Sequence, residues 1–253
     1  MTTESPNAVK ATETSLLILE TLKDLDGAGV TEVATELDIP KSTVHNHLST
    51  LHNARYIIKK DGKYYVGLRF LEFGEHTRNR KRIYEAARPE IENLAEKTGE
   101  LANLAVEEHG QGVYLYQSKG QQSVSTDVYA GMRSNLHCTA LGKAILSEYP
   151  RERVDNILDR HGLPERTKNT ITDRDALYEE LDEVKERGYA YDIEERLRGL
   201  RCVAAPITTN DQVYGAISVS GPTNRMQTER FHEEIPEMLL NAENVIELDV
   251  TFS

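Results

Sequence analysis

Pro40-Lys41-Ser42-Thr43-Val44-His45-Asn46-His47-Leu48-Ser49-Thr50-Leu51-His52-Asn53 is the stretch from which the N-terminal fold is read. Proline suits the first turn of a helix, where its missing N–H has no partner to lose. At helical spacing Val44, Leu48 and Leu51 share one face. The opposite face carries Ser42, Asn46, Ser49 and Asn53, flanked by Thr43, His45 and Thr50. An ordinary surface helix carries glutamates on its outer side for solubility. This face has hydroxyls and amides and no carboxylate. Those are the groups that base edges need: asparagine can bind adenine through two bonds, and hydroxyls serve either kind of base.

Upstream, Ile18, Leu19, Leu22 and Leu25 make a helical stripe that Asp26-Gly27-Ala28-Gly29 ends. Thr31 is the expected cap of a short second helix with Val33, Ala34 and Leu37 inward, and Asp38-Ile39-Pro40 makes a tight turn. Downstream, strand-like runs at 56–60 and 63–66 flank Asp61-Gly62, a strong hairpin signal. Helix, turn, helix and hairpin together read as a winged helix-turn-helix. Ser42, Thr43, His45, Asn46 and Ser49 are the expected base-facing residues. Lys41 at the helix start and Lys59, Lys60 and Lys63 on the wing are expected to meet phosphates, which adds affinity more than sequence reading.

The net charge of −12 at first argues against nucleic acid, but its distribution reverses that. Residues 1–82 hold 12 Lys+Arg against 11 Asp+Glu, whereas residues 83–253 hold 18 against 31. From Ile39 to Phe70 there are six basic residues and one acid, Asp61. A locally basic segment on an acidic chain is the pattern of a face that meets phosphates. The acid surplus elsewhere suits a high-salt cytoplasm, where phosphate contacts weaken steeply.

Two cysteines, Cys138 and Cys202, are too few for a disulfide framework. The opening residues Met1-Thr2-Thr3-Glu4-Ser5-Pro6 lack the basic-then-apolar order of an export signal, and residues 1–10 read as frayed. No apolar run reaches spanning length, so a cytoplasmic protein with no membrane partner is expected.

Residues 68–97 read as one or two helices with the basic knot Arg78-Asn79-Arg80-Lys81-Arg82 in the middle and a break or start at Pro89. Beyond them the pattern mixes strands, at 101–107, 112–117, 200–206 and 213–220, with helices at 139–148, 152–160, 173–187 and 228–249. Pro236 is expected to kink the last helix. The fold class is therefore α+β, with a DNA-binding domain over 1–70, a linker helix over 71–82 and a larger domain over 83–253.

Five ordered segments resemble the IclR family of regulators: Pro40 to His45, Leu136-His137-Cys138-Thr139-Ala140-Leu141-Gly142-Lys143-Ala144, Gly188 to Asp192, Gly199 to Pro206 and Ala216 to Pro222. Many members carry Arg then Leu where this chain has Asn46 and His47, a departure that bears on the DNA target. The resemblance implies a C-terminal GAF-like effector domain with a curved antiparallel sheet, dimers or tetramers, a near-palindromic operator on double-stranded DNA, and a small organic effector such as a sugar acid or an aromatic acid. It implies that Asp192, Cys202, Ser218 and Ser220 are polar contacts of the effector pocket, that the segment Leu136, His137, Cys138, Thr139, Ala140 to Gly142 closes it, and that Leu200 adds an apolar wall.

The residues give a partial reading of their own. Ser218 and Ser220 lie two apart on a strand and share a face, with Ile217 and Val219 on the other. Backbone N–H groups at the start of a helix after Thr139 would suit a carboxylate. Two rivals use the same residues. Cys202, His137 and Asp192 are the residue types of a nucleophilic triad, although no nucleophile elbow or phosphate loop surrounds them. Cys138, Cys202, His137 and Asp192 are also metal-binding or redox types, in a spacing that fits no compact zinc motif. The expectation is a regulator that is not an enzyme, without cofactor or metal.

Overall fold

The computed structural model describes residues 8–210 and 212–252; the frayed start expected over residues 1–10 lies, for residues 1–7, outside the described residues. The chain divides between Thr77 and Arg78 into two units, each with its own core.

The first unit contains helices α1 (Lys10–Asp24), α2 (Val30–Glu36) and α3 (Lys41–Asn53), then strands β1 (Ile57–Lys60) and β2 (Lys63–Val66). Ile18 and Leu22 of α1, Val33 of α2, Val44 and Leu48 of α3, Ile57 of β1 and Tyr64 of β2 are buried against one another. The stripes that define the helices are thus the faces that meet. Asp61 (φ 51°) and Gly62 (φ 82°) both adopt positive φ, the geometry of a two-residue hairpin turn whose twist matches its strands. Ala28 and Tyr64 exchange both backbone hydrogen bonds (3.0 and 2.8 Å), which ties the α1–α2 connection to the hairpin. The cap of α2 differs from expectation. Gly29, not Thr31, is the N-cap, and the Glu32 carboxylate accepts the Gly29 N–H at 2.7 Å. A carboxylate three residues into the helix satisfies the cap's own donor, which a threonine inside the first turn does not.

Helix α4 (Arg69–Asn79) begins beside the hairpin, where the Arg69 guanidinium stacks on Tyr56 at 4.4 Å and Phe70 packs on the same ring at 5.3 Å. Helix α5 (Arg82–Thr98) follows a break at Arg80-Lys81. The expected break at Pro89 is absent: the proline lies inside α5.

The second unit is built on a fully antiparallel six-stranded sheet in the order β5-β4-β3-β8-β7-β6. Its strands are β3 (Leu101–Glu108), β4 (Gln111–Lys119), β5 (Arg133–Asn135), β6 (Ala190–Ile193), β7 (Leu200–Thr209) and β8 (Gln212–Pro222). Of these, β5 and β6 were not expected. Alternation along the strands separates two cores. Ala102, Leu104, Val203, Ala205, Ile217 and Val219 pack under α5 and α9 (Ile235–Phe252). Ala105, Cys202, Ala204 and Ala216 pack on the other side with α6 (Ala140–Ser147), α7 (Arg151–His161) and α8 (Arg174–Arg187). Helix α6 is buried on every side, so it is a core helix of that layer.

The run expected from 228 is helical from Thr228, and it widens just before Pro236. A π-helical turn, Arg230–Glu234, precedes it, and the Ile235 N–H reaches back five residues to the Arg230 carbonyl. The wider turn carries the chain into α9 and lies directly before the proline, whose missing N–H interrupts the ordinary ladder.

Candidate functional site

In the first unit, Lys41, Ser42, His45 and Asn46 are exposed along α3, while Thr43 and Ser49 are half-buried on its flanks. No carboxylate lies on this helix. His47 turns the other way: its Nδ1 lies 2.8 Å from the Ser15 hydroxyl of α1. On the wing, Lys59 lies 5.0 Å from the centre of the Tyr64 ring. Lys60 and Lys63 are register partners at the hairpin tip. Lys63 is not free, because its Nζ is 3.6 Å from Glu32 Oε1.

In the second unit, antiparallel register sets side chains of distant sequence side by side. Asp192 pairs with Cys202, Cys202 with Ser220, and Ser220 with Leu101, which makes one row across β6, β7, β8 and β3. A second row runs from Ala204 through Ser218 to Asn103. Both rows face the layer of α6 and border a small recess. Its remaining walls include Tyr114 of β4, Thr139, Ala140 and Leu141 at the start of α6, Leu200 of β7, and Arg196 from the loop after β6.

Of the residues expected here, Asp192, Leu200, Cys202, Ser218, Ser220, Thr139 and Ala140 line the recess. Four are placed otherwise. Leu136 is packed in the core of the α6 side. His137 is buried, its Nε2 donating to the Pro164 carbonyl at 3.2 Å, and burial holds its pKa below the usual histidine range. Cys138 faces a neighbouring hollow instead, with its thiol 3.6 Å from the Asn135 carbonyl. Gly142 touches no ligand space; a Cβ there would lie 2.1 Å from the Leu136 carbonyl oxygen, so only glycine lets α6 pass this close. Thr139 caps α6 by accepting the Gly142 N–H at 2.9 Å.

Electrostatics shape the recess. Burial, then the neighbouring Glu195, pushes the Asp192 carboxyl up to about 7, against the Glu195 N–H that it accepts at 2.7 Å. Lys143, although buried in α6, holds Glu195 at 2.6 Å and Glu180 at 3.2 Å. Burial pushes the Cys138 thiol up to about 11 and the Cys202 thiol higher still. Thiols so held are protonated, and a protonated thiol is a poor nucleophile. Both cysteines are free, and no cluster of three or more His, Cys, Asp or Glu among the described residues is placed to hold a metal ion. His137, committed to Pro164, does not complete a triad with Cys202.

Asn103, Tyr114, Leu101 and Arg196 were missed from sequence. The pleat could have flagged Asn103, a lone polar side chain within 101–106. Arg196, in a charged loop, carried no signal.

A helix-turn-helix unit followed by a larger sheet-and-helix unit is the architecture of a DNA-binding transcription regulator. The chain belongs to the IclR family of transcriptional regulators: residues 12–60 match the IclR helix-turn-helix domain and residues 76–247 the family described as bacterial transcriptional regulator IclR C-terminal. It is 33% identical to the probable HTH-type transcriptional regulator ArcR of Halobacterium salinarum over 96% of this chain and 94% of that protein. The crystal structure of Thermotoga maritima IclR has 29% identity and a TM-score of 0.77, covering 96% of this chain and 98% of that one. An IclR homolog from Microbacterium hydrocarbonoxydans, complexed with 4-hydroxybenzoate, shares the fold at a TM-score of 0.84 and 23% identity, covering 96% and 100% of the two chains. These families and relatives are regulators of transcription, not enzymes. No described helix is long and apolar enough to cross a membrane.

Proposed function

We propose that this regulator answers to a small organic metabolite of a catabolic pathway, bound in the recess between the sheet and α6. The observation that carries this is the pair of polar rows, Asp192–Cys202–Ser220 and Ser218–Asn103, set on a sheet whose other face carries the apolar core under α5 and α9. Polar side chains buried in a row around empty space suit a ligand better than a core. The neighbour that binds 4-hydroxybenzoate supports an organic acid as one class of effector. On this reading residues 83–253 are a GAF-like effector domain, residues 71–82 the link, and residues 1–70 the DNA-binding domain of a dimer, or dimer of dimers, on a near-palindromic operator in the cytoplasm. Symmetric operators follow from two-fold proteins, since one head covers one half-site. The effector acts by changing how the heads sit on DNA; a coupling of about 1–3 kcal/mol suffices for a useful switch.

Thermal-shift screening of the full chain against central metabolites, sugar acids and aromatic acids tests this. A true effector raises the melting temperature and changes operator affinity in a gel shift, and the double change Ser218→Ala, Ser220→Ala abolishes both. Stabilisation that survives those substitutions and Asp192→Ala would place the pocket elsewhere.

A further inference from the structure

Residues 120–132 join β4 to β5 without helix or strand. Both ends are pinned by backbone bonds. The Gly120 N–H donates to the Glu100 carbonyl and the Gln122 N–H to the Gly99 carbonyl, each at 2.9 Å. The Gly131 N–H donates to the Tyr114 carbonyl at 2.8 Å, and the Met132 carbonyl accepts the Tyr114 N–H at 3.0 Å. In the span between, the residues alternate. Thr126 and Val128 line the recess, whereas Ser125, Asp127 and Tyr129 are exposed. One thickness of irregular chain therefore separates the recess from water here. The other walls belong to strands, to the start of α6 or to the loop that carries Arg196.

Among the described residues, two side chains from other elements hydrogen-bond to this span. Gln117 Nε2 donates to the Val128 carbonyl at 3.0 Å. Arg196 Nη2 donates to Asp127 Oδ1 at 2.6 Å, on the side of the neighbouring hollow. The two halves of that ion pair are held unequally.

Arg196 stands on a fixed arm. Asp192 Oδ1 accepts the N–H groups of both Glu195 and Arg196. Thr170 Oγ1 donates to the Glu195 carbonyl at 2.7 Å, Lys143 grips the Glu195 carboxylate, and the Gly199 N–H closes the loop on Glu194 Oε2 at 2.8 Å. Glu194 is kept at φ 60°, a left-handed conformation that persists in a side-chain-bearing residue when its surroundings over-determine it. Asp127 has no such support. Its side chain is 64% exposed, against 11% for Arg196. A carboxylate already in water loses little on release. Chain outside any ladder also opens at low cost. When the pair parts, it is the Asp127 side that moves.

We propose that residues 123–128 form a strap that gates the recess, with the Asp127 carboxylate on Arg196 as its latch. Closed, the strap presents Thr126 and Val128 as recess wall; released, it swings on its pinned ends and opens the recess to water. The effector reading above enters only in what passes the gate.

The test needs no ligand. Cys202 lies in the recess, and in a Cys138→Ala background it is the only cysteine of the chain. Its rate of modification by methyl methanethiosulfonate, followed by intact mass on the folded full chain, reads how often the strap opens. Asp127→Ala and Arg196→Gln should each raise that rate about threefold to fivefold, the range open to a half-exposed ion pair. Arg196→Lys should fall between Arg196→Gln and the parent. The double variant should add little to either single one, since both remove the same pair. The guanidinium lowers the pKa of the Cys202 thiol, so its loss alone would slow the reaction, and faster labelling in Arg196→Gln reports access. Hydrogen exchange should quicken over residues 123–128 and keep its parental rate in β3 and β8. Unchanged labelling in both single variants would overturn the proposal. So would faster labelling matched by faster exchange throughout β3 and β8, which is loss of the fold. If the strap responds as expected in a chain that no metabolite stabilises, the gate stands and the effector reading falls. If labelling is unchanged while a metabolite stabilises the chain through Ser218 and Ser220, the pocket stands and the gate falls.

Discussion

Lys60 and Lys63 face each other as register partners across the Asp61-Gly62 turn. Two like charges directly opposite on a hairpin destabilise it unless an anion lies between them. Lys63 is already engaged, 3.6 Å from Glu32, so Lys60 is the lysine left to the phosphates. Lys60→Ala should weaken binding to every DNA sequence alike and reduce the salt slope of the affinity by roughly 0.9. Glu32→Gln should strengthen binding, because it frees Lys63 while the amide oxygen still accepts the Gly29 N–H. Anisotropy titrations across a salt series read both effects; an unchanged slope in Lys60→Ala would refute the assignment.

Asn46 should read a base. It is exposed on α3, and its backbone carbonyl accepts the Thr50 hydroxyl at 2.9 Å. The adjacent His47 is turned to Ser15, so of the two residues that depart from the family pattern only Asn46 can face the groove. Asn46→Ala should lose about 1–3 kcal/mol of operator affinity and leave non-specific affinity as it was. Equal losses on operator and random DNA would assign it to the backbone instead.

Gly142→Ala should unfold the wall of the recess. The added carbon would sit 2.1 Å from the Leu136 carbonyl oxygen, a backbone atom that cannot step aside. A cost of about 1–3 kcal/mol or more is expected, with a matching loss of effector binding. Denaturant melts of the variant check this; parental stability would mean that α6 can move.

Asp192 should make stability depend on pH. Its folded pKa of about 7 lies above the value of roughly 3.9 for a free aspartate. The folded chain then holds a proton that the unfolded chain releases, so stability falls as pH rises from about 4 to about 7 and is level above. Asp192→Asn keeps an oxygen for the Glu195 N–H and removes the titration. It should be more stable than the parent by on the order of 1–3 kcal/mol at about pH 8, and its melts should show a flatter pH profile. Parallel profiles for the two chains would exclude Asp192 as the titrating group.

Local periodicity carried most of the fold. The stripe of α3, the Asp61-Gly62 turn and the alternation at Ser218 and Ser220 are written in short spans, and the sheet is antiparallel as expected. The expectations that failed depended on contacts beyond one element. Pro89 sits within α5, whose inner face, with Ala87, Ile91 and Leu94, is buried; packing outweighs one missing hydrogen bond. Ala190–Ile193 is too short to show a period, and it becomes a strand by pairing with β7. The recess followed the same division. Ser218, Ser220, Cys202 and Asp192 lie on strands and were legible as motif positions, whereas Arg196 enters by way of a loop whose path only the folded chain reveals.

The row Asp192–Cys202–Ser220–Leu101 takes one residue from each of four strands, while Tyr191, Val203, Val219 and Ala102, next to them in sequence, belong to the opposite core. Chemistry and architecture are therefore interleaved along the same strands and separated in space. A single substitution on the inward face can exchange a hydroxyl for a methyl without touching the layer under α5 and α9. On the proposed reading, such a sheet can drift from one effector to another by single steps, with each intermediate still folded.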